Sequence, residues 1–168
     1  MVDNRQIEDI LTRLGAAPAR FTRAFYGFEE AKSSNGKVHE LNDEWSPTEV
    51  LAHVRASNDI MEARLFSILV RDDPHMLAYD DQRWRDVAQY NSLPPSESLE
   101  IMRLRRKELV NALRAISQED WTRTGTHELS GTQSLIDIAM RIADHEDEHC
   151  AQIERSMASM RRGEHGPN

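Results

Sequence analysis

Two histidines four residues apart, His145 and His149, are the side chains of this sequence best suited to metal chemistry. On an α-helix, residues at positions i and i+4 lie one above the other, so both imidazoles can face one ion. The same helical stripe is apolar before and after the pair, at Ile142 and Ile153. Burying two imidazoles without a partner is costly, and a metal ion satisfies both rings at once. The pair therefore predicts a metal site on a core-facing helix.

A third ligand is expected from His53, because two histidines alone do not make a tight site. His53 lies beside the apolar face of another predicted helix, and antiparallel packing of the two helices can place it opposite the pair. Three neutral imidazoles and a fourth position left to water are typical of a catalytic zinc site. Nickel, iron, cobalt and manganese accept the same ligands, so the sequence does not choose the metal.

The elements that must position these ligands are helices. Helical periodicity recurs along the chain, whereas alternating strand patterns are nearly absent. Gly15 and Pro18 are expected to kink or interrupt the first helix. The sequence predicts an all-α protein, with four helices near residues 4–28, 46–70, 96–116 and 134–161.

Two of the helix starts carry capping signals. Ser46 can cap the second helix, Pro47 suits its first position, and Glu49 completes a capping box. Glu49 also lies one turn before His53 and could instead orient that imidazole. Ser134, with an aspartate three residues later, predicts a similar start for the last helix.

The connection over residues 71–95 is long for a compact domain, and such connections are often functional. It is expected to wall a pocket, to carry a short helix around residues 82–90, and to line the pocket with Trp84. His127 is expected in a loop at the same end as the ligands, where it is a candidate acid–base catalyst or simply a solvated side chain.

Size and charge exclude several classes of protein. The chain of 168 residues fits a single domain, predicted over 1–161, with 162–168 as a flexible tail. Its 29 acidic residues outnumber its 21 basic residues, giving a net charge of −8, and the basic residues are dispersed. Nucleic acid is therefore not an expected partner.

Targeting signals are also missing from the sequence. No stretch approaches the ~20 apolar residues of a membrane span, and the first residues lack a basic segment followed by an apolar one. Cys150 is the single cysteine, so no internal disulfide forms, and we expect it to be a buried packing residue. These observations predict a cytoplasmic protein with no membrane partner.

Two sequence runs carry a specific resemblance. The run from Trp45 to Val54 reads WSPTEVLAHV, and the run from Ala143 to Ile153 reads ADHEDEHCAQI. Together with Asp120-Trp121 and the THEL run beginning at Thr126, they resemble the DinB-like superfamily, and the match covers nearly the whole chain. Members often have Asp after the first histidine of the last helix, whereas this chain has Glu146. The resemblance therefore does not imply that Glu146 supports the ligands.

The resemblance implies a DinB/YfiT-like four-helix bundle of up-down-down-up type, frequently a homodimer, that holds a divalent metal with His53, His145 and His149. Similar proteins include transferases that use a low-molecular-weight thiol such as bacillithiol, and a mycothiol-dependent maleylpyruvate isomerase. We therefore expect a metal-dependent enzyme acting on a small molecule, in which the ion activates a thiol or a water. The alternative is a non-catalytic binding or stress-response module whose metal site is structural or vestigial.

A ferritin-like di-iron site is a further alternative. It needs Glu-x-x-His motifs on two helices and two more inward glutamates. Only Glu146 and His149 provide that spacing, so the sequence disfavours it.

Overall fold

The computed structural model describes residues 2–35 and 45–162. Four long helices form the bundle, and a short fifth helix lies in the connection between the second and the third of them. Their bounds are α1 Asn4–Asn35, α2 Pro47–Val70, α3 Asp81–Ala88, α4 Pro95–Ala115 and α5 Leu135–Arg162. The predicted helices are confirmed. The residues after Arg162, which make up most of the predicted tail, lie outside the described part of the chain.

The first helix is longer than its sequence pattern indicates. α1 continues through Gly15 and Pro18 without interruption and ends seven residues beyond Phe28. The predicted interruption is wrong because burial of Ala17 and Phe21 on either side of the proline fixes the helix against the core, while a kink stays a prediction. Tertiary packing of this kind overrides the cost of one missing backbone hydrogen bond.

Both predicted capping boxes are present. The Ser46 hydroxyl accepts from the Glu49 backbone N–H at 3.3 Å, and the Glu49 carboxylate accepts from the Ser46 backbone N–H at 2.9 Å. Ser134 and Asp137 make the same reciprocal bonds at the start of α5, at 3.0 and 3.3 Å. Because these caps fix where α2 and α5 begin, they also fix which faces of the two helices meet.

Contacts between the helices define an up-down-down-up bundle. Arg13 donates to Asp144, and Arg20 further along α1 pairs with Asp147, so α1 and α5 run parallel. Arg123, just ahead of α5, donates to the Ile68 carbonyl near the end of α2, so α2 runs antiparallel to α5. Helix α4 runs parallel to α2, because the residues that form ion pairs between the two helices follow the same order along both. The segment after α4 contacts the residues just before α1. The four-helix fold that the sequence predicts is confirmed.

A small sheet closes one end of the bundle. Strand β1 His75–Met76 pairs in parallel with β2 Thr124–His127, which pairs antiparallel with β3 Gly131–Ser134. These strands are not predicted from the sequence, because they are two to four residues long and carry no alternating apolar pattern. Gly125 is required there, since a Cβ atom would lie 2.9 Å from the Pro74 carbonyl oxygen. The sheet attaches the connection after α2 to the segment that leads into α5.

A buried ion cluster joins three of the helices. The Arg106 guanidinium of α4 donates to the Glu146 carboxylate of α5 at 2.6 Å, and Asn58 of α2 donates to the same oxygen at 2.8 Å. Glu62 of α2 lies 3.9 Å from Arg106 and is 6% exposed. Burial raises the pKa of Glu62 to about 7, and Arg106 only partly opposes that effect. Arg106 and Glu146 form the close pair, so removing either of them leaves a buried charge uncompensated, which is strongly destabilising, whereas the more distant Glu62 carboxylate is poorly compensated.

We expect Glu62→Gln to raise the free energy of unfolding at pH 8 and to leave it nearly unchanged at pH 4. Below pH 4.5 the carboxyl is protonated in both the native and the unfolded chain. Between pH 4.5 and 7 the unfolded chain loses the proton while the native state keeps it, so native stability falls as pH rises. The gain at pH 8 is up to about 3 kcal/mol. Denaturant unfolding at the two pH values measures it, and equal effects at both would contradict the buried acid.

Candidate metal centre

Three imidazoles from two helices converge at one point. The Nε2 atom of His145 lies 3.1 Å from Nε2 of His53 and 3.1 Å from Nε2 of His149. One ring nitrogen from each residue lies within 4.8 Å of the other two. The antiparallel crossing of α2 and α5 therefore brings together all three ligands expected from the sequence. That they bind a metal stays a prediction.

A glutamine fixes the orientation of one of these rings. The Nδ1 atom of His149 lies 2.8 Å from the side-chain oxygen of Gln152, one turn further along α5. A carboxamide oxygen only accepts, so Nδ1 of His149 is the nitrogen that donates this hydrogen bond. Its Nε2 atom then presents a lone pair toward the other two rings. An orienting partner on the second ring nitrogen is usual for metal-binding histidines.

Burial keeps the other two imidazoles neutral. His53 is 4% exposed and His145 is half-buried. Desolvation is the largest cause that lowers the pKa of His53 to about 4 and that of His145 to about 3, and the neighbouring histidines add to it. Neutral imidazole is the form that binds a metal, so burial prepares the rings for coordination at neutral pH.

The arrangement fits a divalent ion. Nitrogens bound to one zinc at about 2.0–2.1 Å are roughly 2.9–3.4 Å apart for angles between octahedral and tetrahedral values. The observed 3.1 Å separations fall in that range. Three lone pairs facing one another also repel unless a cation lies between them. Within residues 2–35 and 45–162, no fourth histidine, cysteine or carboxylate joins the group, which leaves a coordination position open.

The three histidines open onto a cleft between α2 and α5. Its volume is about 580 Å³, within the range of small-molecule sites. Each helix contributes residues at helical spacing, and the connection after α2 covers one side, as its length predicted. The lining residues are Trp45, His53, Ser57, Met61, Arg64, Tyr79, Asp81, Gln82, Arg141, His145, His149 and Gln152. A larger cavity of about 860 Å³ lies between α1 and α4, away from the histidines.

The tryptophan that lines the cleft is not the one the sequence indicated. Trp45 lies at the start of α2, and its ring centre is 4.5 Å from that of His53 in an edge-on contact. Trp84 instead packs against Tyr79 and is 44% exposed. The prediction for Trp84 is wrong because α3 turns that side chain outward, and the signal for Trp45 was its position just before a capping box.

Other candidates from the sequence lie outside the cleft. His127 is on strand β2 rather than in a loop, and its Nδ1 accepts the backbone N–H groups of Leu129 and Ser130 at 3.2 Å. The structure does not bring it to the three histidines, so its acid–base role stays a prediction. Glu49 serves the capping box instead of His53.

Two side chains next to the ligands serve the core. Cys150 is fully buried among apolar residues, as expected, and burial raises the pKa of its thiol. Glu146, the position that departs from the family pattern, points away from the histidines into the ion cluster with Arg106. Its contribution to the site is therefore to hold α5 against α4 and α2.

The up-down-down-up order of the helices and the convergence of three histidines define a four-helix bundle with a candidate metal centre. The model of the DinB superfamily matches residues 7–153, and the chain belongs to that superfamily. Two relatives from Oceanobacillus iheyensis are both named as inferred metal-dependent hydrolases. One is 23% identical over 132 residues, covering 73% of this chain and 76% of the relative. The other is 29% identical over 109 residues, covering 65% of this chain and 63% of the relative.

Solved structures show the same fold. YfiT from Bacillus subtilis, described as an inferred metal-dependent hydrolase with an unusual four-helix bundle topology, aligns with a TM-score of 0.77 at 18% identity, covering 94% of this chain and 91% of YfiT. A mycothiol-dependent maleylpyruvate isomerase aligns with a TM-score of 0.64 at 16% identity, covering 88% of this chain and 60% of the isomerase. At these identities the likeness concerns the fold alone.

We expect untagged protein purified without added metal to contain about one equivalent of a divalent transition metal per chain, because three imidazole nitrogens converge on one point. His145→Ala should lose it, since two remaining histidines bind weakly. His75→Ala, which alters an exposed histidine of β1, is the matched control. Elemental analysis measures both variants. A wild-type protein that lacks metal and takes up none on titration would contradict the site.

Proposed function

We propose that this protein is a metal-dependent enzyme that activates a thiol or a water for attack on a small electrophilic substrate. The observation that carries the proposal is the convergence of three imidazole Nε2 atoms at the wall of an open cleft. A structural zinc site is normally closed by four protein ligands, whereas a catalytic site keeps a position free. The names of the two bacterial relatives and of YfiT support metal dependence.

His53, His145 and His149 would hold the ion, and zinc or nickel suits this all-nitrogen set best. A divalent ion bound there would supply a Lewis acid that lowers the pKa of a thiol or a water toward neutrality. Gln152 keeps the His149 ring in the required tautomer. The Trp45 ring covers His53 and limits the access of bulk water to that side.

Two hydroxyl groups are placed to handle a proton next to the histidines. Ser57 Oγ lies 3.5 Å from His53 Nε2 and is hydrogen bonded to the Tyr79 hydroxyl. Both residues line the cleft. A substrate in the cleft can form a hydrogen bond with either hydroxyl. A proton can then pass between Ser57 Oγ and Tyr79 Oη along their shared hydrogen bond. The pKa of Tyr79 is raised by burial, so its hydroxyl keeps its proton at neutral pH and acts as a donor.

A thiol used in the reaction would come from outside the chain. The single cysteine, Cys150, is buried in the core and holds its proton more tightly than a free thiol does. Thiol transfer would therefore require a low-molecular-weight thiol as co-substrate, a possibility that the mycothiol-dependent neighbour supports. Hydrolysis requires only water, and the names of the relatives support it.

A second candidate is a non-catalytic module in which the ion is structural or vestigial. The openness of the site argues against it, because no fourth protein ligand is present among the described residues. Chelation separates the two functions. Removal of a catalytic ion leaves a folded chain that binds the metal again, whereas removal of a structural ion unfolds the bundle.

The sequence resemblance also implies a homodimer, which we include in the proposed function. No contact within the single chain bears on it.

His53→Ala should abolish turnover and leave the helical circular dichroism intact, since α2 keeps its cap and its apolar face. The assay is metal-loaded protein with p-nitrophenyl acetate for hydrolysis, and with bacillithiol or mycothiol plus 1-chloro-2,4-dinitrobenzene for thiol transfer. His75→Ala is the control and should retain wild-type turnover. Turnover retained by a folded His53→Ala protein would overturn the mechanism.

A further inference from the structure

Two arginines lie in the same cleft as the histidines. Arg64 follows His53, Ser57 and Met61 along the cleft-lining face of α2. Arg141 precedes His145 by one turn on the lining face of α5, or about 6 Å along the helix axis. Because the two helices are antiparallel, the arginine end of α2 meets the arginine end of α5. The cleft therefore has a histidine end and an arginine end.

Neither arginine is neutralised within the part of the chain that the structure describes. No carboxylate oxygen of those residues lies within 4.0 Å of either guanidinium. Arg64 donates one N–H to the Leu77 carbonyl, which holds the side chain in place without cancelling its charge. Desolvation is the main cause that lowers the pKa of Arg64, and the positive charge of Arg141 adds to it. Two like charges held together at a cleft wall favour an anion between them.

The rest of the cleft does not offset this charge. Asp81 is the one acidic residue among the described lining residues, and its carboxylate already accepts the Gln82 backbone N–H. A chain of net charge −8 thus carries a cleft with an excess of positive charge. Such local reversal attracts anionic substrates.

We propose that Arg64 and Arg141 form an oxyanion-binding subsite, so that the substrate carries a carboxylate or phosphate group at one end and its reacting atom at the other. Guanidinium groups bind both oxyanions through paired N–H donors, which fixes orientation as well as position. Met61 lies between the two ends of the cleft and suits a short apolar linker. This inference rests on the proposed function for the reacting end, while the subsite itself depends only on the arginines.

The test is the affinity of the purified, metal-containing protein for three small probes of similar shape. Phenylacetate and phenyl phosphate supply the two oxyanions, and phenylacetamide is the neutral analogue. Trp45 lies in the cleft, so tryptophan fluorescence reports binding, and calorimetry confirms it. At least one anion should bind about tenfold more tightly than the amide. The tighter of the two anions identifies the group that the substrate carries.

Two arginine variants assign the binding to the subsite. Arg141→Gln should weaken anion binding about tenfold and leave amide binding unchanged. Arg141→Lys should restore only part of the affinity, since it keeps the charge but loses the paired donors. Arg155→Gln is the matched control, because it removes the same charge from an exposed position of α5 that does not line the cleft.

The possible results separate this inference from the proposed function. His145→Ala removes a ligand and should leave anion binding to the arginines intact, which also excludes direct binding of the probe to the ion. Anions that bind no better than the amide would overturn the subsite, as would equal losses in Arg141→Gln and Arg155→Gln. Failure of the proposed function would instead appear as absent turnover in a protein that still binds the anions.

Discussion

The architecture depends on keeping three imidazole nitrogens within 4.8 Å of one another inside a helical bundle. Each ring lies where the periodicity of its helix calls for an apolar side chain, and burial of His53 and His145 keeps both neutral. Neutral imidazoles that face one another through their lone pairs gain little unless a cation occupies the point between them. Three histidines thus occupy positions that apolar side chains would fill in an ordinary core. This loss of apolar packing favours a functional role for the histidines.

Several polar contacts hold the two ligand-bearing helices in register. Glu146 follows His145 directly and binds Arg106 of α4 and Asn58 of α2, so the turn of α5 that carries the ligand is tied to two other helices. On the opposite flank, Asp147 pairs with Arg13 and Arg20 of α1. A ligand site needs side chains held to within a fraction of an ångström, and these partly buried pairs provide such restraint.

The sequence predicts well the helices and the common face of the two α5 histidines, because both follow from local rules. The caps at Ser46 and Ser134 and the spacing of His145 and His149 require only a helical period to interpret. Strand β2 and the orientation of Trp84 could not be predicted, since both depend on how the connection after α2 folds back over the bundle end. The placement of Arg64 and Arg141 in one cleft likewise cannot be predicted until α2 and α5 are known to be antiparallel.

X-ray absorption spectroscopy of the metal-loaded protein, with and without an added thiol, tests the central claim most directly. We expect three imidazole ligands and one exchangeable light-atom ligand, with a sulfur at about 2.3 Å appearing when the thiol binds a zinc ion. A coordination shell filled by protein ligands, or one unchanged by thiols and by substrate-like anions, would show that the ion is structural. That result would contradict an open, catalytic metal centre.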